Sequence, residues 1–277
     1  MSVDISNVFI EHFSAEVHAS YQRMGSKLRN MVRVRNDVKG SSTTFQRVGS
    51  GIAMTKSRHG MVPVMNVSHT PVKCSLQDYY AGDWVDRLDE LKVSFDERMV
   101  IAQAGAYALG RKTDELIIAV LDQDSKSQRK MKIEGDSGLT KEVVLAALEM
   151  LGNNDVPDDG QRYALVGWKQ WSQLLDLNEF KSADYVGADE LPWRGTQAKR
   201  WLGTMWMPHS GLTKRGSDRV CHWFHKTAVA HASGKEVVTD ITWHGDRASH
   251  FVSNMMSQGA CLVDGRGLVT MLIHEEA

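Results

Sequence analysis

The sequence contains one tetrapeptide, Gly-Asp-Ser-Gly at residues 135–138, whose residue types could support nucleophilic catalysis. In serine hydrolases such a serine attacks the substrate carbonyl, and nearby backbone N–H groups stabilise the oxyanion. That chemistry requires His and Asp partners on upstream strands, whereas the upstream stretch has the pattern of one long helix. A turn that leads into a helix capped by Thr140 explains the same four residues. A serine hydrolase that uses Ser137 is therefore kept as an alternative, and we predict no catalytic residue and no enzyme activity.

A second cluster combines Cys and His near the end of the chain. Cys221, His222 and His225 are close in sequence, and three further histidines follow them: His231, His244 and His250. These residue types suit zinc. On a strand, however, Cys221 and His225 would share one face while His222 points to the other, and no Cys-x-x-Cys pair completes four ligands. We therefore predict no metal site and no cofactor.

The segment from residue 21 to residue 60 carries an excess of positive charge. It has nine basic side chains and one acid, Asp37, although the whole chain has 33 Lys and Arg against 34 Asp and Glu. Such a segment suits the phosphates of a nucleic acid or the acidic surface of a neighbouring copy, and a solvated charged arm explains it equally well. A nucleic-acid-binding protein that uses residues 21–60 is a further alternative. The candidate contacts with DNA or between subunits are Arg23, Lys27, Arg29, Arg33, Arg35, Lys39, Arg47, Lys56 and Arg58.

Length and composition indicate an ordinary globular protein. The chain has 277 residues, of which 42% are hydrophobic and 24% charged, so it can bury a substantial core. No window approaches the ~18 consecutive apolar residues of a membrane span, and the first residues lack the pattern of a signal peptide, so we expect no membrane partner. Three widely spaced cysteines, Cys74, Cys221 and Cys261, fit free thiols better than a disulfide framework.

One long helix is predicted to position these segments. Ser94 and Glu97 form a capping-box pattern, and the helical spacing continues to Leu121. Small residues such as Gly105 share one face of this helix, so another backbone could approach it closely. Its charged residues, Asp114 among them, are expected to lie toward neighbours or DNA. No catalytic group lies on the small-residue face, which indicates a scaffold helix.

The remaining patterns predict an α+β fold, because strands and helices do not alternate as in a nucleotide-binding sheet. Residues 40–78 are predicted to form a long exposed hairpin with a turn at 55–60, and residues 181–216 are predicted to be irregular. The predicted helices lie at 140–151 and 168–177. The predicted strands lie at 31–38, 162–166, 219–232, 237–243, 250–263 and 268–274. The last two strands are expected to pair as a hairpin across Asp264-Gly265.

The order and local sequence of these segments resemble the major capsid proteins of tailed bacteriophages, which share the Hong Kong 97-type fold. The resemblance covers most of the chain, and the similarity is greatest to capsid proteins of short-tailed phages. In that family an N-terminal arm and an extended loop precede a spine helix, an axial domain and a peripheral domain. The similar stretches are Tyr80–Asp89, Asp96–Arg98, Ala108–Leu121, Leu139–Pro157, Gln161–Val166, Cys221–Ala232 and Gly259–Ile273.

The resemblance implies a structural protein that assembles as hexamers and pentamers into an icosahedral shell around double-stranded DNA. It implies location in the virion after assembly in the host cytoplasm, with a portal and a decoration protein as further partners. The arm before the loop is about 40 residues, short for a scaffolding segment, so we expect a separate scaffolding protein. Some members cross-link a loop Lys to an Asn, but we expect Lys56 to be solvated and predict no cross-link.

The same resemblance implies a division of the chain into four parts. The predicted parts are the N-terminal arm at 1–39, the extended loop at 40–78, the peripheral domain with the spine helix at 79–138 and 244–277, and the axial domain at 139–243.

Overall fold

The computed structural model describes residues 25–90, 96–124, 132–135, 138–181 and 198–275, and these residues form the mixed α+β fold that the sequence predicts. The helices of this part of the chain are α1 (Arg87–Glu90), α2 (Glu97–Asp124), α3 (Lys141–Asn153), α4 (Trp168–Asp176) and α5 (Asn178–Lys181). Short 3-10 helices lie at Arg29–Met31 and Gly265–Gly267.

The strands form two larger sheets and one separate hairpin. In chain order they are β1 (Arg33–Arg35), β2 (Ser42–Val48), β3 (His69–Ser75), β4 (Gln77–Asp86), β5 (Lys132–Gly135), β6 (Arg162–Val166), β7 (Lys199–Trp201), β8 (Thr204–Pro208), β9 (Lys214–Arg215), β10 (Asp218–His225), β11 (Val229–His244), β12 (Ser249–Leu262) and β13 (Leu268–His274). The first sheet has the order β1-β11-β12-β4, and the second has the order β5-β13-β10-β6-β8-β7, with β9 paired to β10. Strands β2 and β3 pair with each other.

Helix α2 packs against the first sheet through its small residues, as the sequence predicts. A Cβ atom at Gly105 would lie 2.2 Å from the amide nitrogen of Asn254 in β12 and 3.1 Å from the Ala81 carbonyl oxygen in β4. A Cβ atom at Gly110 would lie 2.6 Å from backbone atoms of Gly25. The two glycines therefore let a sheet and an incoming chain segment lie directly on the helix.

The start of α2 differs from the predicted capping box, whose Ser94 lies outside the described residues. The helix begins at Glu97, and the Asp96 carbonyl oxygen accepts the first helical hydrogen bond from Val100 N at 3.3 Å. The Asp96 carboxylate accepts a long hydrogen bond from Met99 N at 3.4 Å. Asp96 thus occupies the N-cap position. The helix also continues beyond Leu121 to Asp124.

The second sheet carries the aromatic core. Trp206, Trp223 and Phe224 are fully buried there, and Trp206 Nε1 donates a hydrogen bond to the Trp201 carbonyl oxygen at 3.1 Å. The Trp206 and Trp223 rings meet edge to face, with centroids 4.9 Å apart. Helices α3 and α4 bury their apolar stripes against this core, where Val144, Ala147, Leu151, Trp171 and Leu174 lie.

Three predictions about strands are wrong. The predicted strand 219–232 is two strands in different sheets, because β10 ends at His225 and a turn closed by Ala228 N and the His225 carbonyl oxygen redirects the chain. The predicted 250–274 hairpin does not form either. Its turn becomes a 3-10 helix in which the Asp264 side chain accepts from Arg266 N, and β12 and β13 enter different sheets. The predicted irregular range 181–216 contains β7, β8 and β9.

The two sheets exchange strands across the domain ranges predicted from the sequence. Strand β11, within the predicted axial range, joins the sheet of β4 and β12, whereas β13 joins the sheet of β6 and β10. The division into arm, loop, peripheral domain and axial domain stays a prediction.

Candidate functional site: the exposed hairpin, the basic segment and the helix anchor

A small apolar cluster holds the base of the β2–β3 hairpin on the first sheet. Phe45 of β2 and Cys74 of β3 are 2% and 1% exposed. They contact buried residues of the body: Leu76, Ala230, Ala232 and Val263. This cluster is separate from the aromatic core of the second sheet. The position of the hairpin therefore depends on its base.

The tip of the hairpin, residues 49–68, exposes apolar side chains. Met61 is 94% exposed, Ile52 81%, Val62 75% and Val64 71%. A turn closed by Gly60 N and the Ser57 carbonyl oxygen at 3.1 Å lies within the predicted turn at 55–60. Several large apolar side chains exposed in one segment are typical of an interaction site.

Two of the predicted basic residues meet at the base of the hairpin. The guanidinium groups of Arg33 and Arg35 lie 5.5 and 5.3 Å from the centroid of the Phe45 ring, within cation–π distance. Arg35 Nη1 also donates to Thr43 Oγ1 at 2.8 Å and to the Thr44 carbonyl oxygen at 3.0 Å. Both arginines remain exposed on β1. Two exposed guanidinium groups therefore lie next to each other at the buried Phe45 ring.

Other predicted basic residues are engaged elsewhere in the chain. Arg29 Nη2 donates to Glu236 Oε1 at 3.1 Å, and Arg47 lies 3.8 Å from Asp264. Lys27 takes part through its backbone N–H, which donates to Asp114. Arg29 and Arg47 therefore pair with acids of the same chain.

The remaining predicted basic residues are Arg23, which lies outside the described residues, and Lys39, Lys56 and Arg58, which are exposed. Within the described ranges these last three form no ion pair. Lys56 and Arg58 lie in the hairpin tip, beyond the seven-residue strands β2 and β3, whose length is roughly 20 Å. Their role as contacts stays a prediction.

Asp114 anchors the N-terminal segment on α2, and the sequence analysis missed this role. The residue is fully buried, not directed toward neighbours as predicted. Its Oδ1 accepts from Ser26 Oγ at 2.6 Å, Lys27 N at 3.1 Å and Leu28 N at 3.1 Å. Its Oδ2 lies 3.2 Å from His209 Nε2. The sequence feature that could have indicated this contact is Gly110. It lies one helical turn before Asp114, and its missing side chain lets residues 25 and 26 lie against the helix.

The hydrogen bonds decide the charge state of this anchor. Burial alone raises the pKa of Asp114, but the bonds from His209, Ser26 and the backbone of residues 27 and 28 outweigh it and lower the pKa. A carboxylate that is ionised and satisfied in this way holds the N-terminal segment firmly on the helix.

The Cys and His residues of the considered metal site lie apart and have other partners. His222 Nε2 lies 2.9 Å from Asp122 Oδ1, and His225 Nε2 lies 3.1 Å from Asp159 Oδ1. Cys221 is fully buried, and burial raises its pKa to about 12. Among the described residues no group of three or more His, Cys, Asp and Glu is placed to hold a metal ion. Ser137, the considered nucleophile, lies outside the described residues.

A search of the described helices for membrane spans found none that is both long and apolar enough to cross a bilayer.

Comparisons with known proteins agree on one family. A sequence model described as phage capsid protein matches residues 5–275. No curated protein matches the sequence.

Several solved structures have the same fold despite low sequence identity. The capsid of the cyanophage P-SCSP1u matches with a TM-score of 0.75 and 16% identity, over 100% of this chain and 96% of that one. A structure from Mycobacterium phage Che8 matches with a TM-score of 0.70 and 19% identity, over 97% and 98% of the two chains. The capsid of Ralstonia phage GP4 matches with a TM-score of 0.73 and 12% identity, over 100% and 99%. The exposed hairpin, the long helix and the two sheets are thus those of the Hong Kong 97-type fold, and the chain belongs to the phage capsid protein family, as a structural major capsid protein.

Proposed function

We propose that this capsid subunit assembles, through hexamers and pentamers of itself, into an icosahedral shell that encloses double-stranded DNA. The proposal includes assembly in the host cytoplasm and a final location in the virion. It also includes a separate scaffolding protein, a portal and a decoration protein as partners, and no catalytic activity of the chain itself.

The observation that carries the proposal is the exposed apolar tip of the hairpin. Met61, Ile52 and Val62 are each at least 75% exposed, although hydrophobic residues of this size stabilise a structure mainly when they are buried. A second copy of the chain would bury them, and that burial would contribute to stability only in the assembled state. Obligate interfaces of this type cover on the order of 2,000–5,000 Å².

Charge supports the same partner. Lys56 and Arg58 are exposed at the tip, and the first sheet exposes acids, among them Asp83, Asp86 and Asp240. A basic tip that lies across the acidic surface of a neighbouring copy would fix the register of the contact.

Deletion of residues 50–65 tests the role of the tip. We expect a subunit with unchanged circular dichroism and thermal midpoint, because none of the buried hydrophobic side chains of the described core lies in this range. We expect shells seen by negative-stain microscopy to be largely lost. The milder double variant Met61→Ser, Val62→Ser should reduce assembly, whereas Leu145→Ser, at an exposed position of α3, is the matched control and should assemble normally.

Normal assembly of the deletion variant would show that the tip is not an assembly surface. A full-length chain that stays strictly monomeric at high concentration, with and without a scaffolding protein, would refute the capsid proposal as a whole.

The two candidate roles of the basic residues can be separated by assay. Lys56→Glu, Arg58→Glu should impair the formation of empty shells if these residues contact a neighbour. Arg33→Ala, Arg35→Ala should weaken salt-dependent DNA binding by the subunit if the base of the hairpin contacts phosphate. A DNA affinity that is equal in wild type and in the second variant would remove Arg33 and Arg35 from the candidate DNA contacts.

The proposed absence of catalytic activity is tested at Ser137. A fluorophosphonate probe should leave the chain unlabelled, and a label that is lost in Ser137→Ala would revive the hydrolase alternative.

A further inference from the structure

Two of the three cysteines lie together at the base of the hairpin. Cys74 is on β3, which belongs to the hairpin, and Cys261 is on β12, which belongs to the first sheet. Cys261 packs against the small apolar cluster that contains Cys74, and the two thiols interact there although they are 187 positions apart in the sequence. Both thiols are free. The contact thus joins the hairpin to the first sheet.

The backbone around the pair explains how the two strands come so close. A Cβ atom at Gly259, two residues before Cys261, would lie 2.0 Å from the Ser75 carbonyl oxygen. Only glycine therefore allows the end of β3 to lie directly on β12. Cys74 also accepts a hydrogen bond from the backbone of Ala232, which pairs with Gly259 across β11 and β12. The sulfur of Cys74 is therefore held at a fixed place beside Cys261.

The two sulfur atoms differ in reactivity. Hydrogen bonding from Cys261 lowers the pKa of Cys74, whereas the same contact and burial raise the pKa of Cys261. The thiolate is the reactive form of cysteine, so in the reaction proposed below Cys74 takes the part of the nucleophile and Cys261 that of the resolving thiol. Cys261 is also partly exposed, which gives a small oxidant a route to the pair.

We propose that Cys74 and Cys261 form an oxidation site that closes to an intrachain disulfide when the protein meets a peroxide. In the first step the Cys74 sulfur attacks one peroxide oxygen, the O–O bond breaks, and a sulfenic acid forms with release of water. In the second step the Cys261 sulfur, after loss of its proton, attacks the Cys74 sulfur and displaces hydroxide, which takes up the proton as a second water. Two thiols are oxidised by two electrons and one hydrogen peroxide is reduced to two waters.

The bond would fasten the hairpin to the first sheet. The covalent link would add to the small apolar cluster at the base and to the hydrogen bonds that Arg35 donates to Thr43 and Thr44. A thiol reductant would remove it. Formation in a reducing cell would be disfavoured, and the bond would accumulate after release into an oxidising medium.

Peptide mapping of the full-length chain tests the site without any variant. The three cysteines lie in three different tryptic peptides, 74–87, 220–226 and 248–266. After treatment with hydrogen peroxide and alkylation, we expect the first and third peptides to be linked. The mass of the linked pair should equal the sum of the two free-thiol peptides minus two hydrogen atoms. The Cys221 peptide should remain fully alkylated, because this thiol is buried and its pKa is raised to about 12.

Met61 provides an internal measure of the oxidant dose, since its side chain is 94% exposed. Absence of the Cys74–Cys261 link at a dose that converts Met61 to its sulfoxide would overturn the proposal. A link that involves Cys221 would overturn it as well.

Variants and hydrogen exchange test the consequence. Cys221→Ser should form the link as wild type does, and Cys261→Ser should give no intrachain link. In the oxidised wild type, amide exchange in β2 and β3 should be several-fold slower than in the reduced protein, and dithiothreitol should reverse the change. Exchange rates that are equal in both forms would refute the fastening of the hairpin.

Discussion

Asp114→Asn should lower the free energy of unfolding by about 3 kcal/mol, because a satisfied buried carboxylate loses its charge. The wild-type carboxylate accepts from Ser26 Oγ, from the backbone of Lys27 and Leu28, and lies 3.2 Å from His209 Nε2. Asparagine keeps one acceptor oxygen, but its NH2 group replaces the other oxygen and cannot accept a hydrogen bond from the donors that face it. Loss of about two charge-assisted hydrogen bonds, at roughly 1.5 kcal/mol each, gives the estimate.

The measurement is urea unfolding of the unassembled subunit, followed by tryptophan fluorescence. Glu115→Gln is the matched control, because Glu115 is the next residue of the same helix and its ion pair with Lys112 is solvent-exposed. Exposed pairs of this kind contribute about 0.5 kcal/mol or less. In Asp114→Asn, amide exchange at Lys27 and Leu28 should also accelerate, because both would donate to a neutral amide oxygen in place of a charged carboxylate.

A double-mutant cycle with His209→Gln locates the coupling. We expect an interaction energy above about 1 kcal/mol between positions 114 and 209. If Asp114→Asn lowers the free energy of unfolding no more than Glu115→Gln does, Asp114 is not an anchor. If the effects of Asp114→Asn and His209→Gln are additive, His209 does not contribute to the anchor.

Two further predictions concern a close approach and an ion pair. Gly110→Ala should destabilise the subunit by about 1–3 kcal/mol, since the new methyl group would lie 2.6 Å from the backbone of Gly25, whereas Gly152→Ala meets nothing within 4 Å and should be neutral or stabilising in the same thermal scan. Equal effects would argue against a tight contact at Gly110. The Arg219 guanidinium lowers the pKa of Glu275 to about 2 from 4.5, so the pair stabilises the fold fully above pH 4.5 and this contribution is lost as the pH falls toward 2. Glu275→Gln should therefore reduce the fall in the free energy of unfolding between pH 4.5 and pH 2. An unchanged fall would contradict a stabilising pair between Arg219 and Glu275.

Local sequence patterns were enough to predict the elements that form by themselves. The short buried run Arg162–Val166 predicts β6, and the apolar spacing after Thr140 predicts α3, which begins at Lys141. The turn closed by Ser57 and Gly60 falls in its predicted range. Each of these depends on residues a few positions apart, which a sequence shows directly.

The errors arose where distant residues decide the outcome. The run from Arg219 to Ala232 is buried almost throughout, so its periodicity cannot show that the chain changes sheets after His225. Asp-Gly at 264 and 265 favours a tight hairpin, but the hydrogen bonds of Val263 N and Asp264 N to the Ala228 carbonyl oxygen fix the chain in another path.

The candidate site was only partly predictable for the same reason. The basic residues are evident in the sequence, but their grouping around Phe45 depends on pairing between β2 and β3 and on the position of β1 beside them. Asp114 has the appearance of a surface acid until residues 26–28 are seen to cover it.

Two of the three connections between the larger sheets, those after β10 and after β12, have a mechanical consequence. The chain crosses once after β10 and once after β12, and the crossings are tied together at Ala228, whose carbonyl oxygen accepts from Val263 N at 2.8 Å and from Asp264 N at 3.1 Å. A pulling force between the sheets is therefore shared by these two braced segments and by the third connection, which runs through α2 from β4 to β5. Under load the two sheets should stay together, and the hairpin should detach first, because only a small apolar cluster packs its base against the first sheet.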